Sequence, residues 1–452
     1  MSRLKLSNKV LIALAVITAA LALLVLAVAL NPPAPADRLY NHMYIHGIAA
    51  GGLSVSEAEA ALMQHFQPGL DERIISFTHE GQNIAFLSYK DLGIRLDFSD
   101  ALEAAMDYGS KRNLPARIAR FMGRPHRVTT PPTLRFDQAN IDANLLSIAD
   151  KLQMPPVNAS FAYEDGKFVI KPEAVGREVD IESAAEQLNN LVTSLSQGVI
   201  EMQTTPLAPN FTVDDLQFDI SNLGTFSTPI ATTQEDPRVR NVRRASERIH
   251  NQMLYPGEVF SASALIGTHL PGSGYESAIV LVRGEPVEDI GGGICQVVTT
   301  LYNAVLFAEL TVVQRHNHSV RVGYADYGFD ATIAGDYYDL KFKNNTEYPM
   351  LITSRLQATA LQVSIHGNET RPPNRSLHFS SRRVEVIPPE PYKEVVDANL
   401  SPGERIVTLE SQMGYRFEVY KHIYIDGREV ERVKVNTSAY RPMQGIISIG
   451  QS

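Results

Sequence analysis

An uncharged apolar run from Val10 to Leu30, VLIALAVITAALALLVLAVAL, places the first constraint on this chain, and only Thr18 within it is polar. A helix needs about 20 such residues to cross a bilayer. Arg3, Lys5 and Lys9 precede the run and the neutral NPPAPA of 31–36 follows it. Basic residues on the first side put the N-terminus in the cytoplasm and everything after Leu30 outside. Ala27-Val28-Ala29 also has the small-residue pattern of a cleaved signal peptide, but the run exceeds the usual apolar segment of such a signal, so an uncleaved single-pass anchor is favoured. On either reading the rest of the chain is exported.

With 452 residues, 44% hydrophobic and 20% charged, the chain is too long for one ordinary core and is expected to form several folded domains. Its formal net charge is −9, and the exported part is more negative still once Arg3, Lys5 and Lys9 are set aside. That balance argues against a nucleic-acid partner held by bulk electrostatics. One cysteine, Cys295, excludes an intrachain disulfide, and a lone thiol in an exported chain is either reactive or buried and inert.

Two stretches resemble each other. Ile75–Phe86, around Glu80-Gly81, is followed by LGIRLDFSDALEAAM of 92–106; Ser160–Ile170, around Asp165-Gly166, is followed by VGREVDIESAAEQL of 175–188. Gly93, Asp97, Phe98, Ala101 and Glu103 match Gly176, Asp180, Ile181, Ala184 and Glu186. Each unit reads as a β-hairpin, a glycine turn and an amphipathic helix begun by an Asp or Ser cap. A helix over 58–66, capped by Ser54 or Ser56, belongs with the first unit.

The fold class is therefore α+β, as a multidomain ectodomain on one transmembrane helix. The divisions are 1–36 for tip and anchor, 37–130 and 131–210 for the repeats, 211–239 for a connector, 240–370 for a central α+β domain and 376–452 for a small all-β tail. A break at Arg371-Pro-Pro-Asn-Arg375 precedes the tail, where Asp426-Gly427 marks a hairpin. The basic stretch Lys111, Arg112, Arg117, Arg120, Arg124 and Arg127 reads as a solvated face, with anionic wall polymer or lipid headgroups as the alternative contact.

The central domain carries the chemistry. Gly291-Gly-Gly-Ile-Cys-Gln296 runs into a helix with Ile294, Val298, Leu301 and Val305 as its buried stripe and Cys295 in its first turn. Free amides and the positive dipole end of a helix N-terminus favour a thiolate, the attacking species. Glycines leave room for a substrate, and backbone N–H groups beside them suit an oxyanion. Gly292, Gly293, Gln296 and Arg315 are the candidate oxyanion and substrate-binding residues. In Val312–Val322, read as extended, His316 and His318 share a face by the two-residue period, and one imidazole beside Cys295 would complete a thiolate–imidazolium pair. Asp330 and Asp339 are candidates to orient it. The alternatives are a small buried cysteine at a tight joint and a zinc site, for which no fourth ligand can be named. No metal and no cofactor is expected.

The blocks PGEVFS (256–261), GY (274–275), GGGICQ (291–296), TTLYNA (299–304), RHNHS (315–319), DAT (330–332) and DLKFKNNT (339–346) resemble the VanW family, named from glycopeptide-resistance clusters. The repeats look like the peptidoglycan-binding module that accompanies VanW domains, and the tail is similar to the small extracellular β domain named for its five glycines. The resemblance implies cell-wall work, with some VanW domains described as L,D-transpeptidases; it matches Cys295 to the family cysteine and His318 to the family His-Ser position, with His316 second. Its implied partners are peptidoglycan stem peptides and glycan. A cysteine peptidase of stem peptides and a non-catalytic wall-binding scaffold remain the alternatives.

Overall fold

The computed structural model describes residues 8–30, 35, 37–110, 114–230, 235–267, 272–282, 285–335 and 337–451. Lys111 and Arg112 of the basic stretch, and the tip with Arg3 and Lys5, lie outside the described residues. The chain divides into two compact units, one formed by 1–156 and 175–208 and the other by 157–174 and 209–452.

In the first unit Asn8–Leu30 is one 23-residue helix whose apolar side chains are mostly exposed. At 1.5 Å per residue it measures about 35 Å, enough to cross a hydrocarbon core of roughly 30 Å. The helix expected over 58–66 runs from Val55 to Asp71, longer at both ends. Ser54 caps it in a reciprocal pair with Glu57: the Glu57 N–H donates to Ser54 Oγ (3.2 Å) and the Ser54 N–H to Glu57 (2.8 Å). The repeat helices are Ser99–Ser110 and Ile181–Thr193, the second capped by Asp180.

The two repeats are not separate beads. Gly198–Glu201 of the second pairs in parallel with Ile74–His79 of the first, which pairs in turn with Gln82–Ser88. Ile75, Phe77 and Tyr89 from the first share one core with Ile141, Leu145, Leu188 and Ile200 from the second. An edge strand with an apolar face is covered most simply by a neighbour of similar pattern, and the duplicated sequence supplies one.

The second hairpin, Ser160–Glu164 with Lys167–Lys171, turns at Asp165 and Gly166, both at positive φ. It belongs to the second unit, where Phe161 packs with Leu216 and Leu351. The segment expected to be a connector is also partly structural there. Ile220–Pro229 pairs with Ala360–Asn368 and is the edge of a four-stranded sheet continued by Met350–Leu356 and Gln252–Leu254. Its Pro, Thr and Asn content suits an edge, and a bulge lies between Asn222 and Gly224.

Against this sheet lies the helix Ile294–Phe307, buried at nearly every position. The helix Pro237–Ile249, begun by Asp236 with Pro237 in its first turn, packs on both. Val242, Val297, Val298, Leu301 and Ile365 are fully buried in the core between them. The tail is all β: Arg375–Ile387, Gly414–Ile425 and Arg428–Tyr440 form one sheet, and Lys393–Asp397, Ile446–Gly450 and Arg405–Leu409 another. Asp426 and Gly427 make the expected hairpin turn.

Where the tail begins, Glu309 accepts from Arg375 and from Lys421 Nζ (2.8 Å), with Arg371 3.6 Å away. Burial pushes the Glu309 carboxyl up, but Arg375 and Lys421 outweigh it and bring it down to about 2. A depressed carboxylate adds stability that is complete above its unfolded value, near 4.5, and is lost as pH falls through about 2. Glu309→Gln should destabilise the second unit by about 3 kcal/mol at neutral pH. The difference should shrink between about pH 4.5 and 2 in denaturant melts followed by tyrosine fluorescence.

Candidate functional site

The glycine loop places Cys295. Gly291 and Gly293 both have positive φ, at 85° and 105°, and Gly293 is the left-handed residue from which the helix starts. A Cβ on Gly293 would stand 2.9 Å from Arg238 Cγ, and one on Gly292 would stand 2.8 Å from the Ala278 Cβ. Asn241, buried in the neighbouring helix, donates to the Gly292 carbonyl (3.1 Å) and to that of Glu276 (2.9 Å). The loop is thus gripped from the side, and the cysteine emerges at the second position of the helix, among the amides that have no partner four residues back.

Three residues of that helix at four-residue spacing form one stripe: Cys295, Thr299 and Asn303. Thr299 Oγ1 donates to the Ala331 carbonyl (2.9 Å) and accepts from the Ala331 N–H (3.0 Å), while Asn303 donates to the Phe329 carbonyl (2.7 Å). The stripe therefore carries the 329–332 segment alongside Cys295, and Thr332 Oγ1 sits 3.3 Å from Sγ.

Asp330 in that segment is buried and reaches His318, whose Nδ1 lies 2.7 Å from Oδ2; the His318 backbone N–H donates to the same oxygen at 2.7 Å. This bond fixes the ring and leaves Nε2 for Cys295 and for Tyr324, whose hydroxyl lies 3.5 Å away. Burial alone would push the Cys295 thiol up, yet hydrogen bonding and charge from His318, helped by Thr332, bring it below its ordinary value. For His318 burial acts downward, and the hydrogen bonds to Asp330 and then Cys295 overcome it, raising it to about 9. Both shifts describe one thiolate–imidazolium pair.

The pair opens on a cleft of about 470 Å³ whose walls include Arg238, Asp289, Gly293, Tyr324 and Ile333. Burial pushes the Tyr324 phenol well above its ordinary value, reinforced by the Cys295 charge, so it is a neutral hydroxyl. The Arg238 guanidinium sits 6.0 Å from the Tyr324 ring and donates to Gln296 Oε1 at 2.7 Å.

Of the sequence candidates, Asp330 is buried behind His318, while Cys295, His318 and Gly293 line the cleft. Gln296 is buried behind it, donating to Thr228 Oγ1 (3.0 Å) and the Pro229 carbonyl (2.7 Å). Gly292 is buried too. Arg315 lies behind Asp330, donating to its carbonyl, to Gly328 O (3.1 Å) and to Ser438 Oγ (2.7 Å), with its guanidinium 5.1 Å from the Tyr302 ring. The extended run expected through Val322 stops as a strand at Gln314, so the two-residue period does not fix both rings. His316 pairs with Gln314 (3.2 Å) and Tyr338, away from Asp330. Asp339 accepts from Ser261 Oγ (2.6 Å) and the Ser263 N–H (2.9 Å), capping a short helix. Among the described residues no group of three or more His, Cys, Asp or Glu side chains is placed to hold a metal ion. Sequence reasoning passed over Arg238, Tyr324, Thr332 and Thr299; only Thr299, four residues after the cysteine on a helix, left a signal in the spacing.

An α+β chain with a bilayer-length apolar helix, a cysteine at a glycine-to-helix joint and an all-β C-terminal region defines the class of protein. Residues 237–366 match the VanW-like protein family, 85–201 a peptidoglycan-binding domain family and 380–452 the G5 domain family. The chain thus combines a VanW-like region with one that matches a peptidoglycan-binding domain and one that matches the G5 domain. It is similar to YoaR of Bacillus subtilis, at 28% identity over 59% of this chain and 84% of that protein. It is also similar to the vancomycin B-type resistance protein VanW of Enterococcus faecalis, at 29% identity over 25% of this chain and 43% of that protein. The solved G5 domain of an IgA1 protease aligns with 17% of this chain and 93% of its own, at 22% identity and a TM-score of 0.13.

Alkylation of Cys295 by iodoacetamide, read by intact mass, should remain fast below the ordinary thiol range near pH ~8.5. His318→Ala leaves burial opposed only by the weaker contacts to Thr332 and Ile333, so the profile should move up in pH. His318, raised in the folded state, adds stability that is full below about pH 6.5 and is lost as pH rises through about 9.

Proposed function

We propose that this protein is a cysteine acyltransferase of the L,D-transpeptidase type, working on peptidoglycan stem peptides from the outer face of the membrane. The arrangement of Cys295, His318 and Asp330 at an open cleft carries this reading. Cys295 Sγ attacks the carbonyl joining the third stem residue to its terminal D-alanine. The C–N bond breaks, His318 gives its proton to the departing amine, and a thioester remains. A side-chain amine of a second stem then attacks the thioester, His318 takes its proton, and the thiolate returns as a 3-3 cross-link forms.

The Ile294 and Gln296 N–H groups donate to the Gly291 and Gly293 carbonyls, so in this reading the Cys295 N–H receives the oxyanion, and Asp330 holds the imidazole in the tautomer that serves Nε2. Arg238 supplies a cationic group in the wall, suited to a carboxylate of the stem, alongside the Asp289 carboxylate in the same wall. The Asn8–Leu30 helix serves as an uncleaved anchor with its N-terminus in the cytoplasm, and the repeats engage peptidoglycan. Such an anchor confines the enzyme to membrane-proximal wall, where new stems arrive.

Incubating the purified chain with a tetrapeptide-stem muropeptide should give a covalent adduct lighter than the sum of the two by one D-alanine, absent in Cys295→Ala. Gain of cross-linked product with a second stem supports the transpeptidase. Release of D-alanine without cross-links makes water the acceptor and the protein a carboxypeptidase. No adduct from a chain whose Cys295 alkylates normally would leave a wall-binding scaffold.

A further inference from the structure

The segment that carries Asp330 is held on its far side by the C-terminal β region. Tyr327 stacks on Phe417, with ring centroids 4.4 Å apart and planes within 4°. Gly328 has φ of +90°, and a Cβ on it would come within 2.4 Å of Val419 Cγ2, so the loop lies flat on strand Gly414–Ile425. From the end of the adjacent strand, Arg428–Tyr440, the Tyr440 hydroxyl accepts from the Gly328 N–H at 2.7 Å and donates to Asp330 Oδ1 at 2.5 Å. Ser438 of the same strand takes the Arg315 bond. Tyr440 and Ser438 are both buried.

We propose that the C-terminal β region completes the candidate centre, with Tyr440 as a positioning residue that holds Asp330 Oδ1 so that Oδ2 stays on His318. This rests on Cys295 and His318 being the reacting pair. A carboxylate fixed at both oxygens cannot turn. Oδ2 receives the His318 ring and backbone, while Oδ1 receives Tyr440 and, at 3.3 Å, Arg315. Bonds from a hydroxyl to a carboxylate are among the stronger neutral-donor bonds, and a buried carboxylate that loses one has no water to replace it. The groups facing Asp330 are His318, Arg315 and Tyr440; those facing His318 are Asp330, Cys295 and Tyr324, with Arg238 beyond the tyrosine. Losing the Tyr440 hydroxyl leaves Oδ1 with only the longer Arg315 contact, which loosens the carboxylate and weakens its hold on the imidazolium that supports the thiolate. A G5-type domain placed elsewhere in a chain could bind wall polymer alone; here it also sets the reactivity of a sulfur in the domain before it.

The test is the pH profile of Cys295 alkylation by iodoacetamide in the full chain in detergent, comparing wild type with Tyr440→Phe, Ser438→Ala and His318→Ala. Tyr440→Phe should move the acid limb of the profile up by about one pH unit, read as roughly tenfold slower alkylation at a fixed acidic pH. Ser438→Ala should move it the same way by less, and it carries the test if Tyr440→Phe fails to fold. A wild-type profile in the folded variants, alongside a shifted His318→Ala profile, overturns the positioning role while leaving the pair intact. If His318→Ala also matches wild type, the pairing of Cys295 with His318 itself is overturned.

Discussion

The Asp330 carboxylate is the point on which the second unit turns. It is buried, and an ion in that position is tolerable only when its oxygens are fully engaged. His318 supplies two donors, Tyr440 one and Arg315 a longer one. These come from the segment after Thr311–Gln314 and from the last long strand of the tail, so one side chain ties the central domain's loops to the C-terminal sheet. Were that carboxylate simply solvated, His318 would have no fixed tautomer and Cys295 no cation to offset its burial.

Opposing effects of known sign explain the electronics of the pair. Burial disfavours both the thiolate and the imidazolium when each is taken alone. Together they form a neutral pair, and Asp330 makes the imidazolium the cheaper place for the proton. Tyr324 stays neutral under the same burial and repulsion, so it adds a hydroxyl to the cleft without adding charge.

Much of this was legible in the sequence because local rules govern it. The glycine loop, the helix start at Cys295, the Asp426-Gly427 hairpin and the duplicated hairpin–helix pattern all follow from turn chemistry and periodicity. His318 and Asp330 were named, but the strand period could not separate His316 from His318, because the strand stops at Gln314 and the rings are then set by tertiary partners. Gln296 and Arg315 stand inside the most recognisable motifs, yet they serve by bracing from behind. A sequence motif does not say whether a polar group faces a substrate or a buried carbonyl. Arg238 and Tyr440 come from helices and strands far along the chain, where nothing in composition ties them to the cysteine. The edge strand Ile220–Pro229 escaped for a different reason: its polar, proline-containing sequence resembles a linker until its partner strand is known.

The helix Ile294–Phe307 is buried on all sides but is not uniformly greasy. Gln296 and Thr300 lock one flank to Thr228, and Thr299 and Asn303 lock another to the backbone of 329–331. Such a rod behaves like a keyed shaft: sliding by a turn or rolling by a residue would strand several polar groups in a dry interior. The sulfur's coordinates are consequently decided when the core forms, and little orientational freedom remains to be lost when a reactant arrives.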